Sequence, residues 1–295
     1  FVVNHDMPIV PALDAVRKEF YGSNSTLLSY YAQAESSKRP FVLLHSINAA
    51  ANAYEMKPLF EQYQGDRPVY VLDLPGFGFS DRSNREYSVE LYVSAITDFL
   101  RDIVAEPADV IALSLTSEFS AIVAHQAPEL FNSLTLISPT GMSKKGDVSQ
   151  QHDDDKSVYN ILNNPLWSQP LYDLLVTKLS LKYFLGMNFV GDIDRGLLNY
   201  HYASSHQSGA RYAPLTFVSG ALFTNTIFDD IYQNLDVPTL VLYDTDPNIS
   251  FDLLPELLRK NPQWRARRVL NTRGLPHFER LEMTVDALNA FWDDI

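Results

Sequence analysis

The sequence contains no cysteine. That excludes a thiolate nucleophile, a thiolate metal site and any disulfide framework. In a chain of 295 residues the absence costs nothing structurally, because a core of that size needs no covalent staples. Basic residues are scarce as well: 23 Lys and Arg stand against 36 Asp and Glu, a formal net charge of −13. Such a surface repels phosphate backbones and argues against nucleic acid as a partner. No stretch reaches the roughly 18 apolar residues of a membrane span, so stable membrane insertion is not expected. His, Asp and Glu nowhere fall at metal-ligand spacing such as His-Glu-x-x-His, so no metal and no cofactor is expected. No basic segment followed by a long apolar stretch opens the chain, and a cytoplasmic location is the default expectation.

What is present is a rhythm. The runs FVLLHS (41–46), PVYVLDL (68–74), DVIALS (109–114), SLTLIS (133–138), PTLVLY (238–243) and ARRVL (266–270) are short, β-prone and end in polar or turn residues. Continuous rather than alternating apolar runs suit strands buried on both faces. A more amphipathic strand is expected at TLLSYYAQAE (26–35), nearer an edge. Between the runs lie helical patterns, such as Leu91, Ile96, Phe99, Leu100 and Ile103 after Ser88, and Val285, Leu288 and Phe291 near the end. Alternation of this kind predicts an α/β fold: a mostly parallel central sheet flanked by helices.

The rhythm lapses from about 139 to 236, where no strand is evident and the composition turns to Tyr, Leu, Phe and Asn. This reads as a helical lid inserted between two strands, leaving a core of 1–138 and 237–295. Lid aromatics such as Trp167, Tyr172, Tyr183 and Phe184 read as core rather than substrate contacts.

In open α/β sheets ligands gather at the carboxyl ends of the strands. There the sequence sets His45-Ser46-Ile47-Asn48, then Asp73 with Gly76 and Gly78, then Ser114, then Asp244 and Asp246, and finally His277. Ser114 reads in two ways, as a nucleophile or as the N-cap of the following helix. Asp244 and Asp246 read equally as acids or as turn residues capping their own backbone. His45 reads as loop packing, His125 as solvated, His5 and His152 as exposed. His201 and His206 belong to the insertion.

The strand and turn VYVLDLPGFGFSD, with a serine, an acid and a histidine in that order, resembles the α/β-hydrolase superfamily, in its lidded serine-hydrolase form. The ending HFERLE, with Glu282 five residues after His277, is similar to that family's last motif. The resemblance implies Ser114 as nucleophile, His277 as base and Asp246 as the acid, with Asp244 as the alternative. It also implies an oxyanion hole from the main-chain N–H groups of Leu115 and Ile47. The family's Gly-x-Ser-x-Gly elbow is here Ala112-x-Ser114-x-Thr116, and Ser46 replaces a glycine in the oxyanion loop. The extra side chain of Thr116 requires a compensating interaction, since overpacking costs about 1–3 kcal/mol. The expected partner is a small-molecule acyl compound: an ester, a lactone or a carbon–carbon bond substrate. Acyl transfer by the same three residues is one alternative, and a weakened or non-catalytic binding protein on the same scaffold is the other.

Overall fold

The computed structural model describes residues 4–33, 36–144 and 156–295. Eight strands form one sheet: β1 (Val16–Tyr21), β2 (Leu27–Gln33), β3 (Phe41–Leu44), β4 (Val69–Asp73), β5 (Ala108–Leu113), β6 (Phe131–Ile137), β7 (Thr239–Tyr243) and β8 (Trp264–Arg268). Their order is β1-β2-β4-β3-β5-β6-β7-β8. The β1–β2 and β2–β4 pairings are antiparallel, and the remaining pairings, from β4 through β8, are parallel. The α/β architecture expected from the runs is therefore present. The last strand begins and ends earlier than expected, at 264–268 rather than 266–270. β1 was not anticipated, because VRKEFY keeps much of its surface in solvent and carries little apolar signal. Residues 34 and 35, the end of the expected 26–35 strand, lie outside the described residues, as does His152.

The continuous apolar runs are explained by alternation across a sheet covered on both sides. Val42 and Leu44 of β3 pack with Phe119 on one face; Phe41 and Leu43 pack with Phe60, Leu288 and Phe291 on the other. The helices responsible are α1 (Lys57–Tyr63), α2 (Val89–Asp98) and α3 (Thr116–Gln126), with a terminal pair numbered below. Ser88 caps α2 by accepting the Leu91 N–H at 3.3 Å.

Between β6 and β7 the described residues form no strand and include the helices α4 (Lys156–Leu162), α5 (Ser168–Leu175), α6 (Lys178–Met187), α7 (Arg195–Ser205) and α8 (Tyr212–Val218). Tyr172 fixes this insertion to the loop after β3, donating its hydroxyl to the Ala49 carbonyl at 2.9 Å. Of the four insertion aromatics read as core, only Tyr172 is buried; Trp167, Tyr183 and Phe184 are exposed. Short helices lying on a sheet domain cover only part of their surface, and Phe184 is among the residues lining the cavity described below. Three more helices close the chain: α9 (Leu254–Lys260), α10 (Pro276–Glu279) and α11 (Leu281–Asp293). Among the described residues no helix is long and apolar enough to cross a membrane.

Candidate active site

The turn after β4 shows why its glycines are needed. Asp73 accepts the main-chain N–H groups of Phe79 (3.0 Å) and Ala53 (3.3 Å). Gly78 lies across that carboxylate at φ +53°, and a Cβ there would stand 2.0 Å from it. The Gly76–Gly78 pair is thus a packed turn around a buried acid.

β5 ends at Leu113, and the chain turns through Ser114 into α3. Ser114 has φ +55°, a left-handed conformation that a side chain disfavours. Its main chain is fixed on both sides: its N–H donates to the Ile137 carbonyl at 2.8 Å, and its carbonyl accepts the Ser117 N–H at 3.0 Å. The N-cap reading fails, since no side chain caps α3 and the Ser114 side chain faces a cavity instead. Strain of this kind, held by surrounding hydrogen bonds, concentrates at functional sites. The compensation required by Thr116 is visible: its hydroxyl, fully buried, donates to the His45 carbonyl at 2.7 Å. The non-glycine elbow is thereby stapled to the loop after β3.

That cavity, about 610 Å³, lies between the strand ends and the insertion; Ser46, Ile47, Ser114, His201 and Asp246 are among its lining residues. The main-chain N–H groups of Ile47 and Leu115 have no hydrogen-bond partner among the described residues. The loop carrying Ile47 is held from below by Glu55, whose carboxylate accepts the Ser46 N–H at 2.8 Å and the Asn48 side-chain amide at 2.8 Å. His201, from α7, brings its Nε2 to 3.4 Å of the same carboxylate. Burial alone would raise the Glu55 carboxyl; the His201 imidazole and these donors hold it down, at about 2. His45 packs as expected, accepting the Leu74 N–H on Nε2 at 3.0 Å with Nδ1 against the Ser46 carbonyl. His206 stacks on Tyr202, and His5, expected to be exposed, is half-buried 3.3 Å from Asp173. His125 is exposed.

The acids separate clearly. Asp244 ties β7 to β8, accepting Arg268 Nε at 2.6 Å and the Thr272 N–H at 3.2 Å. Asp246 faces the cavity, with one oxygen on the Asn248 and Ile249 amides (2.8 and 3.0 Å) and the other beside Gly274. Burial raises its carboxyl.

His277, on α10, is fully buried and is not in the cavity wall, although Gly274 and Leu275 are. Its Nε2 lies 2.7 Å from the Glu55 carbonyl, and its Nδ1 is buried without a partner. Ser114 and Asp246 therefore share the cavity, while His277 is hydrogen-bonded to neither. Burial pushes the imidazole down to about 4. Among the described residues no cluster of His, Asp and Glu could hold a metal ion.

Two wall residues went unrecognised in the sequence, Glu55 and Glu118. The sequence alone assigns Glu118 no role. The available signal was its place in VIALSLTSEF, an acid one turn beyond the serine on a helix with no exposed face in its first turns.

A family model described as "Alpha/beta hydrolase family" matches residues 41–287. Among curated proteins, the 1-acylglycerol-3-phosphate O-acyltransferase ABHD5 of Rattus norvegicus is 28% identical over 132 residues, 43% of this chain and 37% of that protein. The chain thus spans little more than a third of that relative's length. An uncharacterized protein, Rv2715, of Mycobacterium tuberculosis is 28% identical over 35% of this chain and 28% of its own. A serine hydrolase involved in carbazole degradation superposes with a TM-score of 0.76 at 16% identity, covering 95% of this chain and 100% of that one. An esterase from Exiguobacterium antarcticum gives 0.72 at 15% identity, over 93% and 98%. At such identities these structures establish the shared fold.

Proposed function

The chain belongs to the α/β-hydrolase family, and from that premise we propose that it is a serine hydrolase acting on a small or medium acyl compound. Ser114 is the nucleophile, His277 the base and Asp246 the acid that orients it. The N–H groups of Ile47 and Leu115 receive the oxyanion, where losing one donor commonly costs about 3–4 kcal/mol. The 139–236 insertion acts as the lid over the cavity. The observation that carries this reading is the backbone of Ser114, which is left-handed, pinned at both ends and turned into a cavity that Asp246 also lines.

His277 must move for this chemistry. A carbonyl only accepts, so the Glu55 contact requires the proton on Nε2. A base for Ser114 needs Nε2 bare and the proton on Nδ1, facing the acid. The unpartnered Nδ1 supports a second arrangement of the ring, because a buried polar atom without a partner costs about 1–3 kcal/mol.

The same Glu55 contact favours a second reading, a binding protein in which the imidazole is withheld. Acyl transfer is the reaction in the name of the curated relative, and a serine, histidine and acid placed as proposed here would serve that reaction too. A fluorophosphonate probe separates catalysis from binding. The expected result is covalent labelling that disappears in Ser114→Ala and drops sharply in His277→Gln. Labelling that survives Ser114→Ala overturns the nucleophile. Folded protein that is never labelled, yet is stabilised by an acyl compound, favours the binder.

A further inference from the structure

Glu118 stands in the wall of the same cavity as Ser114, one turn along α3, about 6 Å further down the chain axis. It is 1% exposed, yet no cation accompanies it among the described residues. Its carboxyl accepts the Thr140 hydroxyl and, at 2.9 Å, the Thr224 main-chain N–H. Both donors are neutral, one just after β6 and one near the far end of the insertion. A carboxylate offers about four acceptor sites, so capacity remains on a group that water scarcely reaches. Glu55 differs: its carboxylate faces His201 and holds the 46–48 loop, whereas Glu118 meets neither an imidazole nor a guanidinium among the described residues. The charged lining is lopsided as well. Asp229, Asp246 and Glu256 add to the two glutamates, while Lys144 is the lone lysine or arginine among the described lining residues. A carboxylate-bearing ligand brought to Glu118 would meet like charge with no counter-ion. A hydroxyl, amide N–H or ammonium would meet an acceptor in a poorly hydrated wall, where an unmatched polar group is costly.

We propose that Glu118 recognises a hydrogen-bond-donating or cationic group on the substrate, within about one helical turn of the scissile carbonyl, so that the site takes neutral or cationic rather than carboxylate-bearing acyl compounds. The position of the carbonyl rests on the reading of Ser114 as nucleophile; the recognition by Glu118 does not.

The test uses four 4-nitrophenyl esters of six-carbon acids ending in methyl, hydroxyl, ammonium or carboxylate, on wild type, Glu118→Gln and Glu118→Leu. The expected result is that the hydroxyl and ammonium esters lose at least tenfold in kcat/KM relative to the methyl ester in Glu118→Leu, chiefly through KM. The ammonium preference is also lost in Glu118→Gln, and the carboxylate ester, poorest with wild type, recovers there. Equal changes for all four esters overturn the proposal and leave the hydrolase reading standing. If no ester is cleaved, calorimetry with hexylamine, 1,6-hexanediol and hexanoate decides the matter. Tighter binding of the first two to wild type, lost in Glu118→Leu, sustains the proposal while the hydrolase reading fails. Indifferent or absent binding overturns it.

Discussion

The imidazole Nε2 of His277 lies 2.7 Å from the main-chain carbonyl of Glu55, and the other ring nitrogen of His277 is buried with no partner. The ring is neutral in this setting, because burial lowers it to about 4. Between pH 6.5 and 4 the unfolded chain therefore binds a proton that the folded chain refuses. Stability falls as pH drops through that window, by up to about 3 kcal/mol for a shift of this size. Urea unfolding at pH 7 and pH 4.5 should show a smaller loss for His277→Gln than for wild type. If His277 is the base in the free protein, the acid limb of kcat/KM should also lie near 4 rather than 6.5. An acid limb at the ordinary histidine value would mean that the active ring is solvated, unlike the one described.

Thr116 offers a test of the elbow. Its hydroxyl is the link from the turn after β5 to the loop after β3, through the His45 carbonyl at 2.7 Å. Thr116→Val preserves shape and removes that bond inside a buried site. The expected cost is about 1–3 kcal/mol in urea unfolding, accompanied by slower fluorophosphonate labelling as the 46–48 loop loosens. Unchanged labelling would limit Thr116 to a packing role.

Asp244 and Asp246 should part company under substitution. Asp244→Asn weakens a contact with the half-exposed Arg268, worth about 1 kcal/mol or less, and should leave turnover nearly intact. Asp246→Asn should lower turnover by roughly 10³–10⁴-fold, as expected when a histidine loses the acid that fixes its tautomer. Steady-state kinetics on one ester distinguishes them, and the reverse pattern transfers the acid's role to Asp244.

The contrast between those two acids shows where the sequence was legible. Strands such as Phe41–Leu44 and Ala108–Leu113 announce themselves because burial on both faces demands unbroken apolar runs. Ser114, Asp246 and His277 were singled out because each follows an expected strand, although the last of these, Trp264–Arg268, is largely exposed. β1 escaped notice, since a partly solvated edge strand like Val16–Tyr21 carries no such run. Glu55 and Glu118 escaped for another reason. Their importance comes from Ser46, Asn48, Thr140 and Thr224, which reach them through tertiary folding that no local spacing encodes. The orientation of His277 is likewise a matter of which carbonyl its ring finds, and sequence order is silent on that.

Glu118 should also leave a mark on the pH dependence of stability. Burial raises its carboxyl to about 7, and the Thr140 and Thr224 donors only partly oppose the shift. Between pH 4.5 and 7 the folded chain holds a proton that the unfolded chain has released. The stability this proton confers is complete below about 4.5 and is lost as pH rises through 7, up to about 3 kcal/mol. Tyr232, the ionisable neighbour, is itself raised by burial and stays neutral throughout this range. Glu118→Gln cannot titrate, so its difference from wild type isolates this group from every other. At pH 5, where both side chains are neutral, the two proteins should be of similar stability. At pH 8 the Gln variant should be the more stable by up to about 3 kcal/mol in urea unfolding. A difference that stays constant from pH 5 to 8 would mean that Glu118 is ionised in the folded chain over that whole range. The cavity would then present a fixed negative charge at this wall, and binding of an ammonium ligand should be insensitive to pH.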